Sequence, residues 1–299
     1  MKNIIRLTVV MEMVFLLTAA AVYGQARPPQ KPPVITSGRG NTLGKFSFQY
    51  GRLEISAKLP RTANGLWPAF WLLGADFKES GWPDCGEIDL MEMGHVSGFD
   101  EKSQAKLYSG AAHWGPVQQD GSHPNYTIFK TNSYALQYGD FHLFTLIWDD
   151  QYIRMYLDLD KLPEEQRPLA RPYFEMKINI ELEKYFRKPF SIIMNLAAGG
   201  TYTGIFGREN TNQISALNKD NNYQASMYID FVRVYDLNGN LIFSDEFNGS
   251  GIDATKWNIE ENDNGGGNQE LQSYRRQNVR VGQDRVTGKG CLIITAKRE

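Results

Sequence analysis

From about residue 35 onward the chain is a succession of short runs in which apolar and polar residues alternate, broken by Gly, Pro, Asn and Asp. "KFSFQYGRLEISAKL", "DFHLFTLIWDDQYIRMYLD", "PFSIIMNLAAGG", "MYIDFVRVYD" and "CLIITAKRE" are rich in β-branched and aromatic residues. A period of two marks strands that bury one face. Short strands at this spacing predict an all-β sandwich or barrel. Only "KLPEEQRPLA" offers helix formers, and its prolines limit it to a short piece. In "VRVYDLNGNLIFSDEF", Asn238-Gly239 favours positive φ at both central positions, which predicts a type I′ hairpin between neighbouring antiparallel strands. With no internal repeat and no linker after residue 34, a single domain over 35–299 is expected.

One strand breaks the pattern. "WPDCGEIDLMEMG" (82–94) carries Glu87, Asp89 and Glu92 inside an otherwise apolar run. Alternation puts Glu87 and Asp89 on one face and Ile88 and Leu90 on the other. Continued alternation would drive Glu92 into the core beside Leu90, where an unpaired carboxylate is costly. A β-bulge near Met91 would return it to the face of the other two acids. Crowded carboxylates cannot all ionise easily, so one stays protonated near neutral pH. That suits a retaining glycosidase, which needs two carboxyl groups about 5–5.5 Å apart, one as nucleophile and one as acid/base. A metal site or a solvated sheet face also remains open from spacing alone. No His or further acid cluster lies nearby in sequence to complete a metal site.

Composition narrows the partners. Of 299 residues 41% are hydrophobic and 22% charged, enough for a core and too few charges for disorder. The formal net charge of −2 points to neither nucleic acid nor an acidic membrane surface, and an uncharged substrate is the default. Lys2 and Arg6, the apolar "MVFLLTAAAV" and the small residues near Gly24 read as a secretory signal over 1–24. A Pro-rich leader follows over 25–34. The apolar stretch is too short to span a bilayer comfortably, and no Cys stands near the cleavage point for a lipid anchor. A secreted or periplasmic protein is expected, with Cys85 and Cys291 as two buried free thiols.

"GEIDLMEMG" resembles the E-x-D-x-x-E signature of glycoside hydrolase family 16, the laminarinase and lichenase group. "SGRGNT", "FQYGRLEISAKLP", "GLWPAFWLLG", "AAHWG", "NLAAGGTYTG", "MYIDFVRVYD", "FSDEFNG", "GNQELQSY" and "LIITAKRE" extend the resemblance over nearly everything from residue 35 to the end. It implies a β-jelly-roll sandwich with an open concave cleft. Glu87 would be the nucleophile, Glu92 the acid/base, and Asp89 would hold the nucleophile's orientation and charge. In the family the segments seen here over 241–299 normally come first, so the order in this chain reads as a circular permutation.

Neutral sugars are held by aromatic platforms and a few directional hydrogen bonds. Trp67 and Trp71 share one strand face, opposite Leu66, Phe70 and Leu72, and face either cleft or core. Trp82, just before the acidic strand, is the best platform, and the resemblance has it stack near the cleavage point. His113 and Trp114 in "AAHWG" are further cleft candidates. Arg39 and Asn268 match family positions that bond sugar hydroxyls, with Glu270 a weaker one. Asp230 resembles the position that supplies a structural calcium ligand in many relatives; no cofactor is expected to take part in the reaction. The expectation is thus a monomeric, endo-acting, retaining hydrolase of β-1,3-glucan. Mixed-linkage β-1,3-1,4-glucan is the nearest alternative substrate. A non-catalytic carbohydrate-binding jelly roll and a transglycosylase are the rival functions.

Overall fold

The computed structural model describes residues 34–137, 139–263 and 265–299; the expected signal and most of the Pro-rich leader lie outside them. In chain order the strands begin with β1 (Ile35–Ser37), β2 (Arg39–Asn41), β3 (Gly51–Lys58), β4 (Leu66–Gly74), β5 (Glu87–Met93) and β6 (Leu107–His113). Next come β7 (Asn125–Thr131), β8 (His142–Trp148), β9 (Tyr152–Leu157), β10 (Phe174–Lys177), β11 (Phe190–Ala198) and β12 (Gln224–Tyr235). The chain ends with β13 (Leu241–Asp245), β14 (Asn258–Ile259), β15 (Gln272–Tyr274), β16 (Val279–Gln283) and β17 (Gly290–Arg298).

Among the described residues these strands form two sheets. The outer sheet has ten strands along the path β10-β9-β8-β3-β12-β17-β1-β15, with β13 beside β12 and β16 beside β17. The cleft sheet has seven, in the order β14-β2-β11-β4-β5-β6-β7. Alternation explains the packing. Leu53 and Ile55 of β3, Ile229 and Val232 of β12 and Ile294 of β17 share one buried cluster with Phe70 and Leu72 of β4, Ile88 of β5 and Met194 of β11. Each such side chain contributes roughly 1.5–3 kcal/mol on burial. "KLPEEQRPLA" forms two short 3-10 turns, Leu159–Lys161 and Glu164–Leu169. Cys85 and Cys291 are free and buried, and burial pushes the Cys85 thiol up to about 12.

The hairpin expected at Asn238-Gly239 is present, since β12 and β13 pair antiparallel. Its turn is not type I′. Gly239 has φ 84°, whereas Asn238 is not among the residues with positive φ. The Asp236 carboxylate accepts from the backbone N–H groups of Asn238 (2.9 Å) and Asn240 (2.8 Å), and Gly239 N–H bonds the Asp236 carbonyl. That carboxylate selects a turn in which only the glycine needs a left-handed backbone.

The two ends of the described domain are neighbours. Ile35 pairs with Arg298, and Glu299 N–H donates to the Val34 carbonyl at 2.8 Å. Residues 241–299 serve both sheets: β13, β15, β16 and β17 lie in the outer one, β14 at the edge of the cleft one. The loop between β14 and β15 forms a wall of the cleft.

Candidate active site

The acidic strand β5 contains the expected bulge. Trp71 on β4 faces Asp89 and Phe70 faces Met91, so Leu90 has no partner there. On the other side Asp89 pairs with Ala111 and Glu92 with Ser109, leaving Leu90 and Met91 opposite Gly110 alone. Ile88, Leu90, Met91 and Met93 consequently all enter the core, while Glu87, Asp89 and Glu92 line the cleft together. The Leu90 carbonyl, displaced by the extra residue, accepts the Tyr173 hydroxyl. Gly110 makes room for that contact, because a Cβ there would sit 3.0 Å from the Tyr173 ring and 2.7 Å from Met155 Sδ.

Each acid has a distinct set of partners. Glu87 accepts from Trp82 Nε1 at 3.0 Å. Asp89 faces His113 Nε2 at 3.2 Å. Glu92 accepts from Trp67 Nε1 at 3.0 Å and from Ser109 Oγ at 3.4 Å. Burial holds Glu87 well above the usual carboxylate range, with repulsion from Asp89 and Glu92 adding to it. Burial likewise lifts Asp89 to about 8, against the lowering effect of its hydrogen bond with Glu87. Glu92 rises to about 8 through burial and then the Asp89 charge, opposed by His113, Trp67 and Ser109. Three carboxylates this close hold fewer than three charges. A proton shared between Glu87 and Asp89 can rest on either carboxyl, the Trp82 N–H favours charge on Glu87 when Asp89 holds it, and Glu92 keeps its own proton. Such a set can attack with one carboxylate and protonate with another.

The acids sit in a cavity of about 510 Å³ that extends over β4, β11 and β2. Trp67, Trp71, Trp82, Arg39, Asn268 and Glu270 all line it. Trp67 and Trp71 therefore face the cleft, with Trp71 Nε1 donating to Asn195 Oδ1 at 2.7 Å. Trp82 is 43% exposed. The Arg39 guanidinium lies 4.8 Å from the Trp71 ring centroid and pairs with Glu260 at 3.2 Å. Arg39 and Asn268, from opposite ends of the sequence, line the same cavity. Glu270 is occupied: it accepts from Gly266 N–H at 2.9 Å and from the Tyr274 hydroxyl at 3.2 Å, shaping the Gly265–Gly267 loop.

Trp114 does not join this set. It follows His113 at the end of β6, and its ring turns inward to pack edge-on against Phe186 at 5.8 Å. The alternation that brings His113 to Asp89 carries its neighbour away. Asp230 lies on β12, in the outer sheet. Its Oδ2 takes the Lys289 ammonium and the Ser56 hydroxyl. Among the described residues no cluster of potential metal ligands includes it. A carboxylate neutralised by lysine does not fit a calcium ligand.

Four cleft residues escape the sequence reading. His123 bonds His113 Nδ1 at 2.9 Å and stands edge-on to Trp82 at 4.5 Å. Tyr202 stacks on Trp67 at 4.7 Å, and its hydroxyl bonds Ser109 Oγ at 2.9 Å. His95 and Phe129 complete that side. Tyr202 lies in the "GGTYTG" run, but nothing in its spacing says that it meets Glu92.

Comparison with known proteins agrees with this geometry. Residues 16–214 match the model of glycosyl hydrolases family 16. The chain is 33% identical over 215 residues to glucan endo-1,3-beta-glucosidase A1 of Niallia circulans, covering 69% of this chain and 27% of that protein. It is 32% identical over 202 residues to a beta-1,3-glucan-binding protein of Penaeus monodon, covering 62% of this chain and 53% of that one. The chain thus spans about a quarter and a half of the lengths of these relatives. Among solved structures, a Bacteroides ovatus family 16 protein of a mixed linkage glucan PUL, in complex with G4G4G3G product, aligns with a TM-score of 0.56. The identity is 32%, over 70% of this chain and 83% of that one. With a β-jelly-roll sandwich, its acids side by side in an open cleft, and a family match over more than half its length, the chain belongs to glycoside hydrolase family 16.

Proposed function

We propose that the chain is an endo-acting, retaining β-glucanase that cuts β-1,3-glucan by double displacement. The observation that carries this reading is the bulge at Leu90–Met91, which sets Glu92 on the cleft face with Glu87 and Asp89. Glu87 attacks the anomeric carbon while Glu92 gives its proton to the glycosidic oxygen and the leaving chain departs. Glu92, now a carboxylate, takes a proton from water, whose oxygen displaces Glu87 from the sugar. Asp89, tied to His113, keeps Glu87 oriented. The open cleft supports endo action, because a polymer can cross it without threading an end. In the outer sheet Lys289 neutralises the Asp230 carboxylate.

Mixed-linkage glucan is a second substrate reading, favoured by the product bound in the Bacteroides ovatus relative. A binding-only role is favoured by the Penaeus monodon relative, but the retained acids and the raised Glu92 speak for turnover. Reducing-sugar release from laminarin, lichenan, agarose and carrageenan, side by side for wild type and Glu87→Gln, separates these. The proposal expects release from laminarin above the others and none from the variant. Wild-type activity on none of the four would leave glucan binding as the function.

Secretion is part of the proposal, resting on Lys2, Arg6 and the apolar run that follows. Among the described residues no helix is long and apolar enough to cross a membrane. We further infer that the segment order is a circular permutation. The Glu299–Val34 contact and the shared cavity lined by Arg39 and Asn268 support it, since termini that lie together can be joined and reopened elsewhere at little cost.

A further inference from the structure

The main cavity occupies only one side of the acidic strand. It runs over β4, β11 and β2 and reaches Leu43 and Glu260 at its far end. A polymer cut at Glu87 and Glu92 must continue across the other side, over β6 and β7. That side has a small floor and two aromatic walls. In line with Asp89, Ala111 is buried and the half-buried Thr127 beyond it is the floor. Trp82 with His123 makes one wall.

The opposite wall begins at the acid itself. Ser109, which donates to Glu92, is registered against Phe129 on β7, so both side chains stand on the cleft face. Phe129 is 42% exposed on the edge strand of that sheet. His95 lies 4.6 Å from its ring, and Tyr202 is stacked roughly parallel to it at 6.4 Å. His95 Nδ1 is engaged by Ser97, at 2.8 Å from its Oγ and 3.3 Å from its N–H, which leaves Nε2 as the ring nitrogen for an outside hydrogen-bond partner. An exposed ring beside a hydrogen-bonding imidazole nitrogen has the chemistry that holds the CH face and hydroxyl edge of a sugar, whose hydroxyls both donate and accept.

Resting on the glucanase reading above, we propose that Phe129, flanked by His95 and Tyr202, is the platform for the glucosyl units on the leaving-group side of the scissile bond. Glu92 protonates the leaving oxygen, so the sugar carrying that oxygen leaves on the side where Tyr202 caps the buried Ser109, and meets the exposed Phe129 next. Only β6 and β7 lie beyond β5 on this side. At a strand spacing of about 4.8 Å this gives room for roughly two pyranose rings. Four strands lie on the other side. The cleft is therefore asymmetric, and the enzyme cuts near the reducing end of a short oligosaccharide.

The test uses the full chain, a β-1,3-gluco-oligosaccharide labelled at its reducing end, and the corresponding β-oligoglucosyl fluoride, whose leaving group carries no sugar. Wild type should release short labelled fragments. In Phe129→Ala the cut should scatter to other bonds, and the ratio of kcat/KM on the oligosaccharide to that on the fluoride should fall about tenfold, the scale of a lost aromatic contact. Phe129→Trp should restore both. An unchanged ratio with an unchanged cutting pattern would overturn the platform. A wild-type protein that cleaves neither compound would overturn the hydrolase reading instead. Affinity of wild type and Phe129→Ala for the same oligosaccharide then decides the platform: about tenfold weaker binding sustains it and equal binding refutes it.

Discussion

Tyr173→Phe removes a single oxygen, the one that bonds the Leu90 carbonyl at the bulge. Tyr173 is buried, and Leu90 has no partner on either neighbouring strand. The ring stays, so its edge-on contact with Tyr108 at 4.9 Å should persist. The loss is one hydrogen bond with a buried carbonyl left unsatisfied, about 1–3 kcal/mol. For a domain of this size that lowers Tm by about 2–5 °C in a thermal unfolding scan. A second effect is kinetic. Freed of its hook, the bulge relaxes and Glu92 drifts from the leaving oxygen, and displacement on the order of 1 Å costs up to about a hundredfold in rate. Steady-state kinetics on laminarin should show kcat falling with KM nearly constant, because the sugar-binding walls are untouched. A destabilised variant with wild-type kcat would refute the idea that this hydroxyl keeps Glu92 aimed.

Other outcomes follow from the same geometry. Between the usual 4.5 and about 8, native Glu92 holds a proton that the unfolded chain has released, so its contribution to stability is full below 4.5 and is lost as pH rises through about 8. Glu92→Gln should match wild type in Tm near pH 4 and exceed it at pH 8 and above, by calorimetry. Trp82→Phe keeps a ring but removes the N–H donated to Glu87; turnover should fall about tenfold, the value of a charge-assisted hydrogen bond. Arg39→Lys keeps the charge but loses the flat stack on Trp71. KM for laminarin should rise about fivefold with kcat held, as expected for a guanidinium replaced by a point charge.

How much of this the sequence discloses depends on how local the cause is. The bulge is legible because three acids in an apolar strand conflict with alternation, and one inserted residue resolves the conflict. That Trp67 and Trp71 share a face follows from the same period, but which face lines the cleft does not. The inward turn of Trp114 is hidden by the motif it shares with His113, since neighbours in a strand point apart. The turn at Asn238-Gly239 was misread because Asp236, outside the dipeptide, decides its geometry. Asp230 meets Lys289 across 59 positions of sequence. His95, His123, Phe129 and Tyr202 likewise converge from separate loops and strands, and no spacing announces such meetings. For Phe129 a usable signal exists only in space: an aromatic ring left in solvent beside the acid.

The proposed double displacement needs two carboxylates that share one face of β5 and work in succession on the same sugar. Proton NMR during the first minutes of oligosaccharide hydrolysis reads this directly, from the anomeric signal of the newly released reducing end before mutarotation. Two displacements predict that the β-anomer appears first. Initial release of the α-anomer would mean a single displacement by water and would contradict Glu87 as nucleophile.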